Sequence, residues 1–140
     1  EKDIDTSFDD RFYWAKGIER KLADENVVDK DGKALIDPIT GKQMVNLGLK
    51  SIWVTKTKES ANSLLSKSDW YVTRKAETDT AIPSNISTYR TGVRTASKTI
   101  EDKINAVSTL AKFIELFTVP KDSDDKPTGN APIYDFPDEV

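Results

Sequence analysis

One run of apolar residues constrains this chain more than any other feature. From Ser84 onward, Ile86, Tyr89, Val93, Ala96, Ile100 and Ile104 recur at intervals of three or four, the spacing that lines up one face of an α-helix. Pro83 disfavours helical geometry at Ile82, and Ser84 is a good residue on which to begin. The pattern predicts a helix over 84–105 whose buried face the rest of the chain must cover. Gly92 interrupts it, and reads as a place where the segment around Trp70 comes close. A second helix is expected over 47–66, where Leu49, Ile52, Trp53, Ser60 and Leu64 recur at helical spacing and Asn46 is the candidate cap. Trp53, in the middle of that face, reads as core. A third helix, over 108–117, carries Leu110, Ala111, Phe113, Ile114 and Phe117 and stops at Val119-Pro120.

The 140 residues suffice for one domain with one core. Only 36% are apolar and 32% are charged, so the core should be thin and the flanks wet. The sequence has neither cysteine nor histidine. That excludes a disulfide, a thiolate nucleophile, a Cys/His zinc site and a Ser-His-Asp device. The net charge of −3 argues against binding a phosphate backbone. So do Glu101, Asp102 and Glu115, interleaved with Lys98, Lys103 and Lys112. No apolar run approaches the ~20 residues of a membrane span. The first ten residues, mostly acidic or polar, do not read as a signal peptide and are expected to be loosely held.

Between these acids and the helices the pattern changes. Phe8, Phe12, Tyr13 and Trp14 form the densest aromatic cluster, read as a plug packed onto the domain, with a docking surface as the alternative. A short helix is expected from Ile18 to Glu25. Residues 26–45 then read as an antiparallel β-arm. Asp29-Lys30-Asp31-Gly32 and Asp37-Pro38-Ile39-Thr40-Gly41-Lys42 are turn sequences separating Val27-Val28, Leu35-Ile36 and Met44-Val45. The aspartates lack the spacing of a calcium loop. A ribbon this thin is marginal alone, so it must rest on helices or on another chain. The fold class is therefore helix-rich α+β: three helices, a small β-arm and extended termini. Residues 1–120 form the domain, and 121–140 a proline-rich acidic tail without regular structure, in which Ile133, Tyr134 and Phe136 are candidates to anchor in a groove.

Leu64-Leu65-Ser66-Lys67-Ser68-Asp69-Trp70-Tyr71, then Ile82-Pro83, then Tyr89-Arg90-Thr91-Gly92-Val93-Arg94 make a further pattern. Arg90 either pairs with Asp69, tying the loop to the following helix, or joins a clamp for a partner's carboxylates, while Trp70 is expected to drop into the core beneath the turn and 73–81 to stay irregular. Arg94, one turn after Arg90, is a candidate clamp for a partner's carboxylate. This order of leucine pair, Ser-Asp-Trp, proline crossing and Tyr-Arg-x-x-x-Arg resembles the phage tail assembly chaperones, also called tail-fibre assembly proteins. The similarity covers roughly 64–120, with an echo in Phe136-Pro137, where such proteins often have Trp-Pro. Val93 stands where leucine is common and Ile86 where tryptophan is. Residues 8–48 look like small structural proteins of large contractile-tailed phages, including those of cyanobacteria.

The resemblance implies a non-enzymatic protein, without cofactor or metal, that binds tail-fibre, tail or baseplate subunits as a virion adaptor or assembly chaperone, with a monomer and a symmetric multi-copy assembly both left open. The joint occurrence of Ser-Asp-Trp and Tyr-Arg in that family implies that Asp69 pairs with Arg90 and ties the loop to the following helix. It would reside in the virion tail or in the host cytoplasm during assembly, binding neither membrane nor nucleic acid. Phe12, Tyr13, Trp14, Arg94, Ile133, Tyr134 and Phe136 are the partner-binding candidates, and the arm and tail are expected to make the contacts. The alternatives are another virion structural protein (neck, capsid-associated or decoration) and a helical nucleic-acid-binding module built on 84–117. A hydrolase would need an acid in an apolar pocket, and Glu59, the nearest candidate, reads as surface.

Overall fold

The computed structural model describes residues 8–140; of the acidic segment expected to be loose, Glu1 to Ser7 lie outside the described residues. The chain is a helix-rich α+β structure with two small antiparallel strand pairs. Strands β1 (Tyr13–Ala15) and β2 (Ile18–Glu19) pair across a tight turn. Strands β3 (Glu25–Asn26) and β4 (Val45–Asn46) close the base of the arm. Four helices follow: α1 (Leu49–Ser66), α2 (Asp69–Thr78), α3 (Ser84–Ala106) and α4 (Leu110–Glu115). A single 3-10 turn, Pro132–Tyr134, lies in the tail.

The helix expected over Ile18 to Glu25 does not form. Gly17 adopts φ +75°, the left-handed geometry of a two-residue hairpin, and turns Ile18 back against Ala15. Nor does 73–81 stay irregular, since α2 runs through most of it. Its side chains bury nothing fully, so no apolar stripe announces it. Arg74, Lys75, Ala76 and Glu77 favour helix, Asp69 sits in its first turn, and Asp79 ends it at φ 55°.

Helices α1 and α3 are the backbone of the fold. Lys50 Nζ donates to the Asn105 carbonyl at one end, 3.0 Å, and Arg90 to the Leu65 carbonyl at the other, 2.8 Å. The two helices are therefore antiparallel. The buried face of α3 is Ile86, Tyr89, Val93, Ser97, Ile100 and Ile104. Ser97 takes the place foreseen for Ala96, its hydroxyl satisfied by Glu101 Oε1 at 3.0 Å. The main core gathers Phe12, Leu49, Ile100, Ile104, Leu110, Phe113 and Ile133, with Trp53 packed against it. Phe117 meets both Phe12 and Trp53 edge-on, at ring separations of 4.9 and 4.7 Å. Ala61, Tyr89 and Val93 form a smaller cluster, and Phe136 touches both.

The tail is thus part of the packing and not an appendage. Ala131 and Ile133 are buried, and the Ile133 N–H donates to the Leu116 carbonyl at 3.0 Å. Before them Asp122 Oδ1 accepts from the N–H groups of Asp124 and Lys126, making a small turn closed by Lys121 and Pro127. Gly92 is approached by Pro137 rather than by the Trp70 segment: a methyl there would lie 3.3 Å from the Pro137 ring.

Candidate functional site

Composition left the chain with few apolar residues, yet the arm spends many of them on its outside. Residues 25–46 make three short runs joined by the two turns foreseen. Asp29 Oδ1 accepts from the N–H groups of Asp31 and Lys33, and Asp37 Oδ1 from that of Ile39, while Gly32 and Gly41 take positive φ. Backbone bonds link the runs in a ring: Val27 N–H to Met44 O, Met44 N–H to Leu35 O, and Leu35 N–H to Val27 O. Inside it the Gln43 amide nitrogen donates to those same three carbonyls, at 2.8, 3.1 and 3.0 Å. The centre of the arm is therefore polar and hydrogen-bonded. Val28, Leu35, Ile36, Ile39, Met44, Val45 and Leu47 are left exposed, Ile39 at 93%.

The arm is anchored firmly where it enters α1. Gly48 stands before the helix in place of the expected Asn46 cap, which belongs to β4. Asp24 Oδ1 accepts from the Gly48 N–H at 2.7 Å and Asp24 Oδ2 from the Ser51 hydroxyl at 2.9 Å. The Lys21 and Leu22 carbonyls accept from the Leu49 and Lys50 N–H groups. Donors that a helix start leaves open are thus met by the preceding chain. Beside this joint lies a hollow of about 610 Å³, lined by Trp14, Ile18, Arg20, Glu25, Leu47 and Ile52 among others. Trp14 is 65% exposed, with the Arg20 guanidinium 4.2 Å from its ring centre. The aromatic cluster is thereby divided. Phe12 is core, Tyr13 packs at its edge, and Trp14 faces outward toward the arm.

At the other end of α1, Arg90 pairs with Asp69 at 3.0 Å, and its Nη1 also donates to the Ser68 hydroxyl at 2.8 Å. Trp70 is not beneath this tie. It is 53% exposed and stacks on Tyr71 with ring centres 3.8 Å apart, the Arg74 guanidinium lying 5.0 Å from its ring. The apolar neighbours Leu64, Leu65 and Val72 suggested burial, but α2 turns Trp70 outward. Arg94 is exposed and makes no ion pair among the described residues, its one side-chain contact being Thr91 Oγ1 at 3.4 Å. Of the tail candidates, Ile133 is buried in the chain's own core and Phe136 half-buried; Tyr134 alone is exposed.

The outward-facing candidates are therefore Trp14, Arg94 and Tyr134. The sequence reading missed the contributions of Gln43, Asp24 and Gly48. Only the spacing of Gly48 just ahead of a helical stripe hinted at one of them. Glu59 is exposed. Among the described residues no three metal-ligating side chains stand together, and no helix is long and apolar enough to cross a membrane. Compared with family models, with curated proteins and with solved structures, the chain matches none of them.

Proposed function

We propose that this protein is a non-enzymatic binder of a phage tail-fibre, tail or baseplate subunit, acting as a virion adaptor or as an assembly chaperone. One observation carries the reading: the arm turns its apolar side chains outward around a centre already satisfied by Gln43. Side chains such as Ile36 and Ile39 contribute little to folding from those positions. Against a partner they would bury apolar surface, at about 25 cal/mol per Å². Growing fibres and sheet edges need such cover until they are placed. The hollow beside Trp14 extends the same surface, and the proposed sites of action are the virion tail and the host cytoplasm.

The experiment is co-purification of the tagged protein from infected cells, with mass spectrometry of purified particles. A chain carrying Ile36→Ser and Ile39→Ser should keep its stability within about 0.5 kcal/mol and lose the fibre or baseplate partner. Retention of that partner by the double variant refutes the arm as the contact. Copy numbers in multiples of three or six within particles would mark an adaptor; absence from particles together with capture on fibre protein would mark a chaperone.

A further inference from the structure

A second feature lies at the opposite end of α1 from the arm, after roughly 27 Å of helix. There residues 137–140 cross a cleft between the end of α1, the start of α2 and the first turns of α3. Three side-chain complementarities seat them. The Pro137 ring fills the notch over Gly92, where any larger residue would meet it at 3.3 Å. Glu139 forms an ion pair and hydrogen bond with Lys67. Glu139 and Val140 lie over a cavity of about 180 Å³ walled by Leu64, Trp70, Tyr71, Ile86 and Tyr89. The Tyr89 hydroxyl is buried there without a hydrogen-bond partner among the described residues, and the residue is only 7% exposed.

The way the segment is held matters as much as where it lies. Beyond the Phe136 N–H, which donates to the Tyr134 carbonyl, no backbone hydrogen bond among the described residues fixes residues 137–140. All four are exposed, and the polar tie to the rest of the fold is Lys67 with Glu139. An extended stretch held by a proline notch, an aromatic wall and one cation is held as domains hold short peptide ligands. Segments with so few fixed contacts open at small cost. The stacked Trp70 and Tyr71, with Arg74 beside them, border the cleft as the aromatic and arginine side chains that dominate binding energy elsewhere.

We propose that this cleft is a gated docking site for an extended segment of a partner protein, a proline followed two residues later by a carboxylate, and that residues 137–140 are its resident occupant. Gly92 selects the proline, Lys67 the acid, and the Tyr89 hydroxyl is left to meet a polar group that the resident segment does not supply. Because the occupant is tethered, it competes at a high effective concentration, and a partner engages only when the segment is displaced. This site is separate from the arm, so loss of either leaves the other to be measured.

The test uses an acetylated, fluorescently labelled peptide of residues 135–140, titrated by anisotropy into the full chain and into a chain carrying Pro137→Gly and Glu139→Gln. Circular dichroism checks that the variant is folded, and Glu139→Gln alone serves as a milder opening. The opened chains should bind the peptide at least tenfold more tightly than the unmodified one. Adding Lys67→Glu should abolish that binding and restore it for a peptide with Glu139→Lys. Equal affinity for opened and unmodified chains overturns the proposal, as does indifference to Lys67. Dimerisation of the unmodified chain that Lys67→Glu abolishes overturns it too, because the cleft would then serve exchange between copies.

Discussion

Gly48→Ala should be strongly destabilising, against the ordinary sign of such a change. Gly48 has φ −78° and ψ 168°, an extended conformation open to any residue. Replacing glycine by alanine at such a position normally stabilises by about 0.4–1 kcal/mol, through the unfolded chain. Here the added methyl would fall on the backbone of Leu22 and Ala23, 2.5 Å from the Ala23 carbonyl oxygen. Backbone cannot swing aside as a side chain does, so residues 21–24 must retreat. They are the residues that close the first turn of α1, through the Lys21 and Leu22 carbonyls and both Asp24 oxygens. Each such bond is worth about 1 kcal/mol net, and less where water replaces it. Overpacking adds about 1–3 kcal/mol. A net loss of about 3 kcal/mol follows, read as a lowered urea midpoint with an unchanged slope. Gly17→Ala is the contrast: nothing lies within 4 Å of the added atom, and its φ of +75° costs about 1–2 kcal/mol through conformation alone. If Gly48→Ala proves neutral or stabilising, the joint between arm and helix is not packed as described.

Ile133→Ala should cost about 2–5 kcal/mol in urea melts, and deletion of 122–140 should collapse helicity, because Ile133 shares a core with Phe12 and Phe113; intact helicity after the deletion would return the tail to the status of an appendage. Tyr89→Phe should stabilise by about 1 kcal/mol, since it removes a buried hydroxyl that has no partner. Burial also raises the Tyr89 phenol above its ordinary 10.0, so the folded state keeps a proton that the unfolded chain gives up. Its contribution is whole below about pH 10 and is lost as pH rises through the folded value. Lys67, raised by its hydrogen bond to Glu139, titrates in the same alkaline window. The difference between the two chains in urea midpoint therefore isolates the phenol, and should widen from about pH 9 to about pH 11; a constant difference would contradict the burial.

What the sequence disclosed, and what it hid, follows the physics of each segment. Helix α3 was legible because one face buries Ile86, Tyr89, Val93, Ile100 and Ile104, with Ser97 filling the step between Val93 and Ile100. The arm's turns were legible because Asp29, Gly32, Asp37 and Gly41 each perform a local backbone task. The pairing of Asp69 with Arg90 was expected only through the resemblance, in which Ser-Asp-Trp and Tyr-Arg occur together, and the two side chains do meet. Helix α2 stayed hidden because it buries no residue fully, so propensity and charge had to be read without a stripe. Trp70 was misplaced for the same reason, since α2 has no buried face to receive it. The tail misled through its composition. Prolines and acids indicated an extended segment, which it is apart from one 3-10 turn, while Ala131 and Ile133, the residues it buries in the core, are too few to form a period. Gln43 gave no signal, since its three acceptors come from backbone that only the folded arm brings together.

The Gln43 hydrogen bonds are what let the arm face outward at all. A small ring of strands ordinarily needs an apolar interior, and the arm's six exposed apolar residues, from Val28 to Val45, would supply it. Here two N–H bonds of one amide serve three carbonyls, so the interior is satisfied by hydrogen bonding and carries no demand for apolar volume. The arm therefore holds its shape through its turns and Gln43, and through Asp24 and Gly48 at its base, while Ile36, Ile39 and Val28 stay out of that work. A preformed arm also loses less conformational freedom on docking than a strand that orders only on contact, which favours binding without additional buried area. The cleft under residues 137–140 has the opposite design, a seat already filled and held by side chains alone. Helix α1 joins the two, so the chain presents an open surface at one end and a guarded one at the other.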